Sequence, residues 1–202
     1  MIDIFLTQAN YTLFINIGIL FFILLVIISQ NSTPFDYEWR KRTISDLAIQ
    51  GYKNAWIMRL AFITFGTLLN IGVFIKMHQT KNTDFGEVLI LIHGFSMLFS
   101  GIFSTAPVGN MTPYKNFTDK FHSVLAYVAG IALTGSSLFY FFTTSNPAKI
   151  IHISFFILTL MITTLFSLSK RDVLKMDHGI IQRLLYLNGL LWIFINYNIL
   201  TP

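Results

Sequence analysis

Six apolar blocks, at about residues 11–29, 54–75, 88–106, 121–142, 150–168 and 180–199, alternate with short polar loops and constrain the fold more than any other feature. About 20 helical residues at about 1.5 Å each cross a hydrocarbon core of about 30 Å. Each block reaches or approaches that length. The longest loop, 30–53, leaves little chain for a soluble domain. Charged residues make up 11% of the chain and the mean hydropathy is +0.64, against about 25% charged in an average globular domain. The expectation is an all-α membrane protein in which residues 1–202 form a single domain, one bundle of six transmembrane helices.

Charge sets an orientation. Of the 14 Lys and Arg, all but Lys76, Lys81 and Lys149 lie in or beside the first, third and fifth loops. The positive-inside rule then predicts N-out/C-out, with those loops in the cytoplasm. The first block is expected to stay as a permanent helix, because Met1 to Asn10 has no basic residue and Ile27-Ile28-Ser29-Gln30 is a poor cleavage site. Richness in Ile, Asn, Lys and Phe suits an AT-rich bacterial genome, so the predicted location is the bacterial cytoplasmic (inner) membrane, crossed several times. The net charge of +5 needs no nucleic-acid partner. Arg40, Lys41, Arg42, Lys170 and Arg171 are expected to meet anionic lipid headgroups, at about 1 kcal/mol per charge near the surface. With no cysteine, disulfides, thiolate metal sites and iron–sulfur clusters are excluded.

Smaller features fit this frame. The five prolines fall in loops or at block ends. Tyr11, Tyr140 and Tyr197 read as aromatic anchors at outer helix ends, and Trp39 and Trp56 as anchors beside the basic first loop. Small and polar residues form stripes: His93, Ser96, Ser100 and Ser104; His122, Ala126, Gly130 and Thr134; Thr159, Thr163 and Ser167. Such stripes predict close helix packing with interhelical hydrogen bonds of about 0.6–2 kcal/mol each.

Polar chemistry collects at the cytoplasmic side. Ser45 and Asp46 suit a helix start, where a side-chain oxygen receives orphan amide protons. Arg59 falls about one turn inside the second block, a depth that calls for snorkelling or a carboxylate partner, with Asp46 or Asp119 in reach. Thr118 or Asp119 is expected to cap the fourth helix, placing His122 in its first turn. His178 and Arg183 enter the sixth. His122 and His178, with Asp46 and Asp119, are therefore candidate catalytic groups, as general bases or metal ligands. No His-x-x-x-His pair or nucleophile elbow accompanies them, so no metal set is firm. A different pairing, His93 with His152 and His122 with His178, would suit a transmembrane di-haem carrier. The sequence names no cofactor.

Three segments carry a resemblance. One is Thr43-Ile44-Ser45-Asp46-Leu47-Ala48 with Gly51, Trp56, Ala61-Phe62 and Gly66. The next is Gly101-Ile102-Phe103 leading to His122. The last is Gly179-Ile180-Ile181-Gln182-Arg183 with Trp192. In their order and spacing, over about residues 40–195, the chain resembles the bacterial membrane family known only as domain of unknown function 998. After Phe103 it departs from that pattern, reading Ser104-Thr105-Ala106-Pro107 where the family tends to a Pro and an acidic residue. The resemblance implies the six-helix architecture and singles out Ser45, Asp46, His122 and Arg183. It implies no activity.

The functional expectation is binding of a lipid headgroup or small amphipathic ligand in a polar cytoplasmic-side pocket, using Ser45, Asp46, Arg59, His122 and Arg183. Alternatives are an interfacial metal- or acid/base-dependent lipid hydrolase or transferase using His122 and His178, and the di-haem b-type electron carrier.

Overall fold

The computed structural model describes residues 10–33, 37–107 and 115–200. Among these, six helices are long and apolar enough to cross a membrane. They are α1 (Tyr11–Asn31), α2 (Ala55–Thr80), α3 (Phe85–Ile102), α4 (Asn116–Thr143), α5 (Ala148–Lys170) and α6 (His178–Ile195). A π-helical turn, Asn196–Leu200, continues α6, and a 3-10 turn, Ser45–Ala48, lies in the first loop. No strand occurs among the described residues. Pro34, Pro113 and Pro202 lie outside them, as do residues 1–9.

The helix ends follow local chemistry. The Asn10 side chain accepts the Leu13 amide at 3.2 Å and starts α1. Asp84 does the same for α3, accepting the Glu87 amide at 2.8 Å, so that helix begins before the expected residue 88. It also ends earlier, at Ile102, because Phe103 is extended; Ser104 is therefore outside the helix. The second helix runs on to Thr80 and stops where Lys81 turns left-handed, with φ of 51°. Lys76 consequently sits inside the helix. The fourth begins at Asn116, with Lys115 in the cap position where Thr118 or Asp119 was expected, and His122 falls in the second turn.

Each helix packs mainly on its neighbours in the chain, and α6 returns to α1. The α2–α3 pair approaches closely. A Cβ on Gly66 would stand 2.4 Å from the Gly94 carbonyl oxygen, and one on Gly101 would stand 2.5 Å from that of Arg59. Only glycine allows backbones so near, the means by which helices associate without a hydrophobic drive. At the centre, Phe22 of α1 packs against Phe65 and Phe62 of α2 and Tyr186 of α6, with centroid distances of 5.4, 5.7 and 5.4 Å. Edges of His93 (α3) and His122 (α4) complete the cluster, each 6.2 Å from a phenylalanine ring.

Two expected stripes are corrected. On α4 the buried face is His122, Leu125, Ala129, Ala132, Ser136 and Tyr140, while Ala126 and Gly130 are exposed. On α5, Thr159 is buried but Thr163 is exposed. The α3 stripe of His93, Ser96 and Ser100 is buried. Of the aromatic anchors, Trp39 and Trp56 are exposed. Tyr140 and Tyr197 are not anchors: both are buried. Outward leucine, isoleucine and phenylalanine side chains, such as Leu20, Ile131 and Phe142, give the bundle an apolar exterior.

Candidate functional site

The end of the bundle that carries the basic loops is an interlocked assembly in which the three family-like segments meet. Loop one is pinned to the start of α6. Gly179 lies so close beneath it that a Cβ there would meet the carbonyl oxygens of Arg42, Arg40 and Trp39 at 2.4, 2.5 and 2.7 Å. The Ile180 amide donates to the Arg40 carbonyl, and the Ile44 amide donates to Gln182 Oε1 at 2.6 Å. Arg183 donates to the carbonyls of Arg42 and Gly179, to Gln30 Oε1 and to the Tyr37 hydroxyl, at 2.8–3.0 Å. Its guanidinium also lies 5.7 Å from the Trp39 ring, in cation–π range. Arg183 is thus a clamp on loop one. Burial pushes the Tyr37 phenol above its ordinary range, with the adjacent Arg183 charge pulling the other way.

Loop one is joined equally to loop three. The Gln50 amide donates to the Thr105 carbonyl, and its side chain donates to Ser104 and Lys115 carbonyls and to Thr118 Oγ1. Gln50 Oε1 accepts the Lys115 amide at 2.9 Å, and Thr105 Oγ1 donates to the Ser45 carbonyl. Gln50 was not apparent as a site residue in the sequence, because a lone glutamine in a loop has no diagnostic spacing.

The candidate residues take definite places. Ser45 is buried at the head of the 3-10 turn, beside Tyr186. Asp46 accepts the Thr43 amide at 2.8 Å, closing its own turn. Asp119 accepts the Ala106 amide at 2.8 Å, where it fixes loop three. His122 is buried, its Nδ1 2.8 Å from the Phe103 carbonyl and 3.1 Å from that of Ser100. Both partners are acceptors, so Nδ1 carries the proton and caps the end of α3. His178 is half-buried at the first position of α6. Arg59 pairs with neither Asp46 nor Asp119, contrary to expectation. Among the described residues, its Nε and a terminal nitrogen approach only the Ala48 carbonyl, both at 3.4 Å. Arg40, Lys41, Lys170 and Arg171 are exposed, Arg40 with Asp177 and Lys41 with Glu38 as ion-pair partners; Arg42 is half-buried and donates to the Tyr52 hydroxyl.

Among the described residues no three His, Asp or Glu side chains converge as a metal site would require. Three of the four histidines of the di-haem pairing, His93, His122 and His152, are held in protein contacts. His93 donates from Nδ1 to the Ala129 carbonyl and meets Phe65 edge-on. His152 accepts from Trp192 Nε1 at 3.2 Å and stacks on Tyr140.

The far end holds a second polar centre that the loop-based reading missed. Lys76 and Glu87, 6% and 2% exposed, form a buried ion pair. The Tyr197 hydroxyl donates to Glu87 Oε2, and the Lys76 ammonium lies 4.9 Å from the Tyr197 ring centroid. Tyr140 O stands 3.1 Å from both Glu87 Oε1 and Asp84 Oδ1. Two signals were available: Asp84-x-x-Glu87 at the head of an apolar run, and a lysine directly after one.

Six membrane-crossing helices with polar loops interlocked at one end define a multi-pass membrane protein. The chain belongs to the family described as "protein of unknown function (DUF998)", whose model matches residues 17–196. No curated protein and no solved structure matches it.

Proposed function

We propose that the protein binds the headgroup of an anionic lipid at its basic end, with Arg59 receiving the phosphate. One observation carries this reading: Arg59 is a half-buried guanidinium, one turn inside a membrane helix, with no carboxylate partner among the described residues. A charge at that depth requires an anion, and the planar fork of arginine matches phosphate. Exposed Trp56 and Leu60 beside it mark a lipid-facing surface, and Arg40, Lys41, Lys170 and Arg171 are exposed at the same end. Ser45, Asp46, His122 and Arg183 act as positioning residues that hold the two loops around Arg59. In the N-out/C-out orientation this site belongs to the cytoplasmic leaflet of a bacterial inner membrane. No particular observation favours the hydrolase or haem readings over this one.

The test compares wild type, Arg59→Gln and Arg59→Lys purified from the same cells. Native mass spectrometry measures retained phospholipid, and thermal shift measures added phosphatidylglycerol against phosphatidylcholine and inorganic phosphate. Wild type should retain anionic lipid and be stabilised by phosphatidylglycerol alone. Arg59→Gln should bind it about tenfold more weakly, about 1.4 kcal/mol, and Arg59→Lys should fall between. Equal retention by wild type and Arg59→Gln would sink the proposal.

A further inference from the structure

We propose that α4 and α5 part toward the basic end of the bundle to form a slot that holds one acyl chain of an anionic phospholipid, with its headgroup at Lys170. On α4, Ser123, Ala126, Gly130, Thr134, Ser137 and Phe141 follow at spacings of three and four and share one face. At the far end that face is covered, with α5 against it. Ser137 is buried, and half-buried Phe141 has the Lys149 ammonium of α5 4.9 Å from its ring centroid. Toward the basic end the cover is gone. Ser123, Ala126 and Gly130 are exposed, and a Cβ on Gly130 would have open space around it among the described residues. The matching face of α5 changes in the same way, from half-buried Phe156 to exposed Thr163. The two helices therefore diverge from the turn that joins them.

A slot that opens sideways at this depth meets hydrocarbon and not water, so lipid fills it. Its lining is graded as a phospholipid is graded. Exposed Lys170 ends α5 on the slot side, in line with Ser167 and Thr163. A cation there meets a phosphate at the membrane surface. Ser123 and Thr163 each lie seven residues inside their helix ends, Asn116 and Lys170, or about 10 Å, the level at which headgroups give way to chains. Their hydroxyls are available to ester oxygens. In the same two helices Thr134, Ser154 and Thr159 donate to the carbonyl four residues earlier. Ser123, Thr163 and Ser167 make no hydrogen bond among the described residues. Deeper still, Ala126 and Gly130 present one methyl group and bare backbone, leaving room for a methylene chain. Cation, hydroxyl and bare helix thus meet phosphate, ester and acyl chain in order.

Arg59, on α2, takes no part in this slot, and the two sites stand or fall separately. The test is photolabelling of the full-length protein in phosphatidylcholine nanodiscs doped with phosphatidylglycerol that carries a diazirine in one acyl chain, read by peptide mass spectrometry. Residues 123–134 and 160–167 should label more heavily than the exposed face of α1 at Leu13, Leu20 and Leu24, which reports ordinary bilayer contact. Gly130→Phe fills the slot from an open position and should bring both segments down to the α1 level, with the unfolding midpoint unchanged. Lys170→Gln should remove the preference for this probe over the same diazirine chain on phosphatidylcholine. Arg59→Gln should leave the labelling of both segments as in wild type. Labelling of α4 and α5 no heavier than that of α1 in wild type overturns the proposal without any variant, and so does heavy labelling that survives Gly130→Phe.

Discussion

At the scale of single residues, the side chains at the basic end owe their positions to backbone partners. Arg183 and His122 both point at main-chain carbonyls, and Asp46 and Asp119 both receive main-chain amides. Their importance was legible in the sequence as charge or imidazole in short motifs. Their roles were not, because carbonyl and amide partners look alike at every position of a chain. Tyr37 offers a direct check. Its hydroxyl donates to the Thr43 carbonyl and accepts from Arg183, so the neutral phenol is the form that fits. Its proton is held above the ordinary value of 10.0 in the folded protein. As pH rises past about 10 the unfolded chain loses that proton first, the native state then binds more protons, and stability falls. The contribution is fully present below that pH. Thermal unfolding midpoints measured from neutral to alkaline pH should fall less steeply in Tyr37→Phe than in wild type, from a lower starting point at neutral pH.

At the scale of elements, existence was plain and edges were not. Apolar runs of helical length identified all six helices. The cap at Asp84 and the left-handed stop at Lys81 then moved the ends of α2 and α3, and brought Lys76 and Glu87 inside the bundle. Faces were harder still. On α4 the residues three and four apart from His122 include two rows of small side chains, and spacing alone chose the wrong one. Two glycines separate these cases. Gly179→Ala forces a methyl against three carbonyl oxygens of loop one. It should cost about 1–3 kcal/mol, read as a lower unfolding midpoint and altered Trp39 fluorescence. Gly130→Ala, with open space around its Cβ, should stay within about 1 kcal/mol of wild type and tend to stabilise through helix propensity.

At the scale of the whole molecule, the two ends differ in kind: one presents exposed cations, the other conceals an ion pair. The first was legible because loop charges are counted directly. The second was not, because its members come from separate helices and meet only when the bundle closes. Orientation is open to a clean measurement, since the chain has no cysteine to give background. Single cysteines at the exposed positions Asn82 and Ser145 should react with an impermeant maleimide in intact cells. Those at Lys53 and Lys175 should react only after permeabilisation, and the opposite pattern would reverse the assigned leaflet. The clamp between loop one and α6 also bears on biogenesis. Ile44 and Gln182 are 138 positions apart, and Arg183 reaches back across 153 to Gln30. A ribosome delivering this chain inserts five helices before the first loop can reach Gln182 and Arg183, whereas its partners in loop three are made earlier. The clamp on loop one therefore closes late, after α6 has begun to emerge, on a segment made early.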